Sequence, residues 1–251
     1  MVQQPLETDL LYPDSDGKPL ADNTIQLGLI FTIKGGLDAL FQDRDDVFIA
    51  ADLLWYPVQL TQAEILAKKQ PQRQAPDVMV VLGRPKGDRG SYRQWQEENI
   101  APQVAFEILS PGNRKQEMTQ KFEFYQKYGI EEYYLYNPQK NRLQGWLKQG
   151  EELTEIPTME GWSSPRLGIT FSTSEGDLAL FSPDGERFVD YVEVVQQRDR
   201  ALAERERERL EKERERLEKE QEKQRADRAE LELQQMRERL RQLGIDPDSF
   251  S

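Results

Sequence analysis

Two carboxylates stand at the ends of two apolar runs: Asp77 opens the run to Leu82, and Glu107 lies within Val104 to Leu109. Burying a carboxylate is costly unless a cation, a proton or hydrogen bonds compensate it. Acids on two such strands therefore predict a compensating group between them. Lys121 is a candidate, because Met118, Phe122, Tyr125 and Tyr128 mark an apolar helical stripe at spacings of three and four, and Lys121 falls inside it. A lone Lys at such an edge is ordinarily a snorkelling side chain. Its coincidence with two strand acids favours a Lys turned toward them. Two acids and a Lys suit metal-assisted phosphodiester hydrolysis, in which carboxylates hold Mg²⁺ or Mn²⁺, the metal acidifies a bound water and the Lys stabilises developing charge. The backbone carbonyl of Ile108, next to Glu107, would supply a further oxygen ligand.

The rest of the composition narrows the chemistry to the same kind. The 251 residues contain no Cys and no His, which excludes thiol nucleophiles, disulfides, zinc fingers, imidazole bases and the Ser-His-Asp triad. A metal site would have to be built from oxygen, which points to Mg²⁺, Mn²⁺ or Ca²⁺. Ser110, in Ser110-Pro-Gly-Asn113, has only Lys115 nearby as a base and reads as a turn and helix cap. Residues 1–16 lack the basic and apolar regions of a leader, and no apolar run would span a bilayer, so a soluble cytoplasmic protein is expected. The net charge of −12 opposes a polyanionic partner.

The elements that must position these residues form an α/β pattern. Ile25, Leu29, Ile33, Leu37 and Leu40 trace a first helix after a cap at Asp22 or Asn23, and residues 47–56 read as one strand, followed by a polar connection over 59–75. The runs 77–82 and 104–109 are short strands of a sheet interior, and a helix from about Arg114 ends at Gly129. A strand at 132–136, a hairpin around 145–147 and 153–156, and a final strand pair within 161–181 complete a sheet with mixed pairing. From about residue 190 the chain runs to Gln242 without Gly or Pro, and residues 198–243 hold 15 basic and 14 acidic side chains, so the acidity belongs to the body. Leu210, Leu217 and Leu231 supply one apolar position per heptad, a poor zipper. A solvated spacer and an arm for a homodimer or another protein partner through 198–243 are equally supported. The expected division is an extension at 1–20, a domain at 21–190, a long charged helix at 191–243, and a tail at 244–251 stopped by Gly244 and Asp246-Pro247.

Four segments in order, Pro76 to Val81, Glu107 to Pro111, Lys121 to Gly129 and Glu132 to Pro138, resemble the signature of the bacterial putative restriction endonuclease family, formerly a domain of unknown function, within the PD-(D/E)XK nuclease superfamily. The resemblance covers roughly residues 20–180. It implies a restriction-endonuclease-like fold, with a mixed central sheet flanked by helices, and a Mg²⁺-dependent DNA endonuclease. Asp77 and Glu107 would be its metal ligands and Lys121 its catalytic Lys. The superfamily Lys usually stands two residues after the second acid, where this chain has Leu109, so Lys121 takes the role from the following helix. Many members also use an acid from the first helix. Here only Asp38 is present, and Asp52 is an additional candidate ligand, with a solvent-facing acid as the alternative.

Between the acid strands, Arg84, Lys86, Arg89 and Arg93 outnumber Asp88, with Tyr92 and Trp95 interleaved. Such a loop suits phosphate contact and base stacking. Its alternative is a packed insertion whose Arg residues pair with acids of the body. Two rivals to the nuclease remain: a non-catalytic nuclease-fold scaffold working through its C-terminal helix, and a glycosidase, which would use the paired acids but has no need of the Lys or a metal.

Overall fold

A computed structural model describes residues 11–112 and 115–243. The first ten residues of the expected extension, the helix entry at Asn113 and Arg114, and the 244–251 tail with its Gly244 and Asp246-Pro247 stop lie outside the described residues. The chain divides into two units, residues 1–191 and 192–251.

The first unit opens with helix α1 (Thr24–Leu40), capped by the Asn23 side chain, which accepts from Gln26 N–H. Its buried face is Gln26, Ile30, Ile33 and Leu37. The stripe expected from the sequence is thus rotated, since Ile25 is exposed and an amide points inward in its place. Strand β1 (Val47–Ala50) is followed by β2 (Trp55–Tyr56) rather than continuing into it. The break is Asp52, whose φ of 49° is a left-handed conformation that Asp tolerates and an extended strand does not. The expected polar connection contains a short helix, α2 (Gln62–Leu66), held by a reciprocal capping box between Thr61 and Glu64.

Strands β3 (Val78–Leu82), β4 (Tyr92–Arg93) and β5 (Val104–Ile108) lead to helix α3 (Lys115–Tyr128). Strands β6 (Glu132–Asn137), β7 (Arg142–Gln149) and β8 (Glu152–Glu155) follow. The main sheet has the order β1-β3-β5-β6-β7-β8, and all its pairings are antiparallel except β5 with β6. That parallel pair requires a crossover, which α3 provides. Strands β9 (Thr170–Ser172) and β10 (Ala179–Phe181) form a separate antiparallel pair, and β2 and β4 a small parallel one.

Alternation along the central strands feeds two cores. Val78, Val80, Val104, Phe106 and Ile108 pack toward α1, whereas Met79, Val81 and Ala105 pack with Phe124 and Tyr125 of α3. The sheet is covered on both faces, a mixed α/β architecture. The described residues of the second unit, up to Gln242, belong to helix α4 (Tyr191–Gln242), which starts at the last residue of the first unit, is 52 residues long and has no buried residue. Among the described residues no helix is long and apolar enough to cross a membrane.

Candidate active site

The β3–β5 register pairs Val78 with Phe106, so extending the ladder one step sets Asp77 opposite Glu107. Both acids fall on the α3 side of the sheet, since alternation puts them in line with Met79 and Ala105. Like charges directly opposite repel, and the surrounding donors show how the pair is tolerated. Lys121 projects from α3 and its Nζ donates to Glu107 Oε1 and Oε2 at 2.9 and 2.8 Å, with the Ala75 carbonyl at 3.4 Å. Tyr125, one turn further along α3, donates to Glu107 Oε1 at 2.5 Å. Asp77 Oδ2 accepts from the backbone N–H of Ile108 at 2.6 Å. Both acids are buried, Glu107 at 4% exposure and Asp77 at 7%.

Burial dominates the electrostatics. It pushes Glu107 up to about 7 against the pull of Lys121, with Asp77 adding to the rise. The Asp77 carboxyl also moves up, from burial opposed by Lys121 and the Ile108 N–H. On Lys121 burial pulls downward, but Glu107 and Asp77 outweigh it, so the ammonium stays charged.

The structure thus brings together Asp77, Glu107, Lys121 and the Ile108 backbone. Asp52 lies on the left-handed turn after β1, where its N–H reaches the carbonyls of Pro76 and Asp77 at 3.1 and 3.4 Å. Partial burial, with Asp16 and Asp77 nearby, pushes its carboxyl up to about 6, although the residue as a whole is exposed. It borders the pair through that backbone contact, and among the described residues its carboxyl makes no hydrogen bond to either acid side chain. The four basic residues of the 84–95 loop are engaged elsewhere. Arg84 and Arg89 both hold Glu97, at 2.8 and 2.7 Å, and Arg84 also holds Glu98 at 2.7 Å. Lys86 donates to the carbonyls of Phe41 and Gln42, and Arg93 to the carbonyl of Tyr12 at 2.9 Å, with Asp14 at 3.6 Å. Tyr92 is fully buried and stacks on Phe48, and Trp95 packs against Tyr12. The geometry matches the packed insertion. A local charge excess counted only to Trp95 leaves out Glu97 and Glu98 immediately beyond.

Two participants had no chemical signature in the sequence. Tyr125 stood on the α3 stripe as an apolar residue, yet its position four after Lys121 puts its hydroxyl on the same carboxylate. Gln26, buried on α1, donates through Nε2 to the Ile108 carbonyl at 3.0 Å and to Asp77 at 3.3 and 3.4 Å, while its Oε1 accepts from the Asp22 N–H at 2.9 Å. The inward phase of α1 is the one signal that would have flagged it. Asp22 in turn accepts from Ser110 Oγ, tying the segment before α1 to the loop after β5.

The donor set fits a hard divalent cation in kind, because every acceptor is oxygen. Among the described residues no three His, Cys, Asp or Glu converge as a metal-holding group, so protein carboxylates would supply part of a coordination sphere. A carboxylate has about four acceptor positions. Lys121 and Tyr125 fill three on Glu107, leaving one at Oε2.

No curated protein matches the chain. A solved structure described as that of a putative nuclease belonging to DUF820 from Anabaena variabilis ATCC 29413 is similar with a TM-score of 0.45 and 14% identity, covering 64% of this chain and 86% of that one. The family model Uma2, described as "Putative restriction endonuclease", matches residues 21–178, an interval that contains Asp77, Glu107 and Lys121. That interval is more than half of the chain, and the chain belongs to this restriction endonuclease family.

Proposed function

We propose that the first unit is a Mg²⁺- or Mn²⁺-dependent DNA endonuclease of the PD-(D/E)XK type, with Asp77, Glu107 and the Ile108 carbonyl holding the cation and Lys121 as the catalytic Lys. The observation that carries it is the placement of two buried acids across one rung of a sheet with an ammonium against one of them. Membership of a family described as a restriction endonuclease supports the reaction class. A bound divalent cation supplies phosphate neutralisation and a more acidic water. The chain's own residues prepare the site. The Ile108 N–H fixes the Asp77 carboxylate, and the hydroxyl of the buried Tyr125 fixes Glu107. Lys121 carries a full charge that can shift from Glu107 to the phosphate oxygens as negative charge develops there. Cleavage adds water to phosphorus and expels one ester oxygen of the backbone.

The test is plasmid nicking with Mg²⁺ and, separately, with Mn²⁺ by wild type, Asp77→Asn and Glu107→Gln, each checked by circular dichroism. Loss of nicking in both folded variants is expected, and full activity in either refutes the assignment. The scaffold reading draws on one observation, the occupation of three of the Glu107 acceptor positions by Lys121 and Tyr125. Wild type inert with both metals would favour it. For the second unit, exposed Leu210, Leu217 and Leu231 support self-association through 198–243. Truncation after residue 197 would then convert a dimer to a monomer in sedimentation.

A further inference from the structure

The orientation of the Gln26 amide is determined from both ends. The Asp22 N–H can only donate, so the atom it meets at 2.9 Å is Oε1; the Ile108 carbonyl can only accept, so the atom 3.0 Å from it is Nε2. The same Nε2 lies 3.3 and 3.4 Å from the two Asp77 oxygens. One donor therefore sits among three oxygens drawn from two strands. Gln26 is 7% exposed, so water offers its amide little alternative. Its backbone is independently fixed, because the Asn23 side chain accepts from Gln26 N–H at 3.0 Å at the start of α1. The side chain can swing while the helix stays in place.

We propose that the Gln26 carboxamide and a divalent cation are alternative occupants of the same oxygen cradle, so that Gln26 sets the metal affinity of the site. The inference rests on the metallonuclease reading and goes beyond it by naming a competitor. Mg²⁺ binds oxygens at about 2.0–2.1 Å. An ion at that range from the Ile108 carbonyl and Asp77 would face the Nε2 hydrogens, which carry partial positive charge, so the two cannot share the cradle. A neutral amide holds the two strand ends in place with hydrogen bonds that a doubly charged ion can displace. An acid at this position would add a ligand instead, so a glutamine trades affinity for a site already assembled. A hydrogen bond to a charged group contributes enough that its removal changes a competing equilibrium by roughly tenfold or more.

The experiment is calorimetric titration of Mn²⁺ into the full chain carrying Gln26→Met, which keeps the shape without a donor, and Gln26→Asn, which shortens the reach by one methylene. Wild type and Asp77→Asn serve as references, with thermal unfolding as the fold check. Mn²⁺ binding about tenfold tighter than wild type in the Gln26 variants, abolished by Asp77→Asn, is expected. Binding in the variants but not in wild type supports the same conclusion in a stronger form. Unchanged affinity overturns the competitor while leaving the metal site intact, and weaker affinity overturns it by making Gln26 a ligand. Absence of binding in every protein overturns both readings. Should Gln26→Met fail to fold, Gln26→Asn decides alone.

Discussion

Replacing Lys121 with Met is expected to destabilise the protein more at high pH than at low pH, by an amount that follows from Glu107. The variant removes the ammonium that contacts both Glu107 oxygens and leaves Tyr125 as the donor beside a carboxyl at 4% exposure. Burial raises the folded-state pKa of this acid from the ordinary 4.5 to about 7 with Lys121 present. A raised carboxyl pKa means that the folded protein binds the proton more tightly than the unfolded one, so stability declines as pH rises from about 4.5 to the folded value. In wild type the decline stops near 7, where Glu107 ionises against Lys121. In Lys121→Met no cation rewards ionisation and the decline continues. At pH 5.5 both proteins hold a neutral Glu107 and the variant lacks little from this source. By pH 8.5 the extra interval of about 1.5 pH units, at about 1.4 kcal/mol each, amounts to roughly 2 kcal/mol. That is below the ~3–5 kcal/mol cost of leaving a buried charge unpaired, because Glu107 can take up a proton instead of staying charged. Urea denaturation followed by tryptophan fluorescence in a chelating buffer at the two pH values measures it. The double variant Lys121→Met/Glu107→Gln should show no such pH-dependent difference. A destabilisation of equal size at both pH values, or a larger one at pH 5.5, would refute the linkage.

Other outcomes follow from the packing. Glu97→Gln is expected to weaken the hold on Arg89 and, with Glu98 still on Arg84, to loosen Arg84 in part, and so to strengthen binding of a fluorescent duplex at low salt; unchanged anisotropy would show that Arg89 does not meet DNA. Gly36→Ala on α1 would place a methyl 2.1 Å from the Phe188 ring. A loss of about 1–2 kcal/mol is expected, the overpacking cost less the gain of Ala over Gly in a helix, and an unchanged urea midpoint would contradict it. In Tyr125→Phe, loss of the hydroxyl on Glu107 should cost about 1–3 kcal/mol, read in the same denaturation assay; full wild-type stability would mean the contact contributes nothing.

The acids and the Lys were legible because each violates the apolar pattern around it, and such violations demand compensation. Strand existence was legible for the same reason, from β-branched runs bounded by turns. What the residues could not disclose was phase and partnership. A helix with Ile25 and Gln26 adjacent offers two nearly equal inward faces, and only packing on β1, β3 and β5 chose the one with the amide inside. Asp52 broke an otherwise continuous apolar run because left-handed backbone at Asp leaves no mark in composition. The 84–95 loop appeared cationic because its counter-charges, Glu97 and Glu98, come just after it.

The pairing of Asp77 with Glu107 across one rung makes the chemistry a matter of strand alignment. A single-residue insertion in β5 before Glu107 would turn that side chain through to the α1 face, away from Lys121 and into an apolar layer, although both acids and the Lys would still be present. A two-residue insertion would restore the face but slide the acid by nearly 7 Å, beyond the reach of a shared ion. Length variation in this family should therefore collect in the segments on either side of β4, residues 83–91 and 94–103, and spare the strands themselves. Deletions within those segments should be far less damaging to cleavage than any change in spacing between Val104 and Glu107.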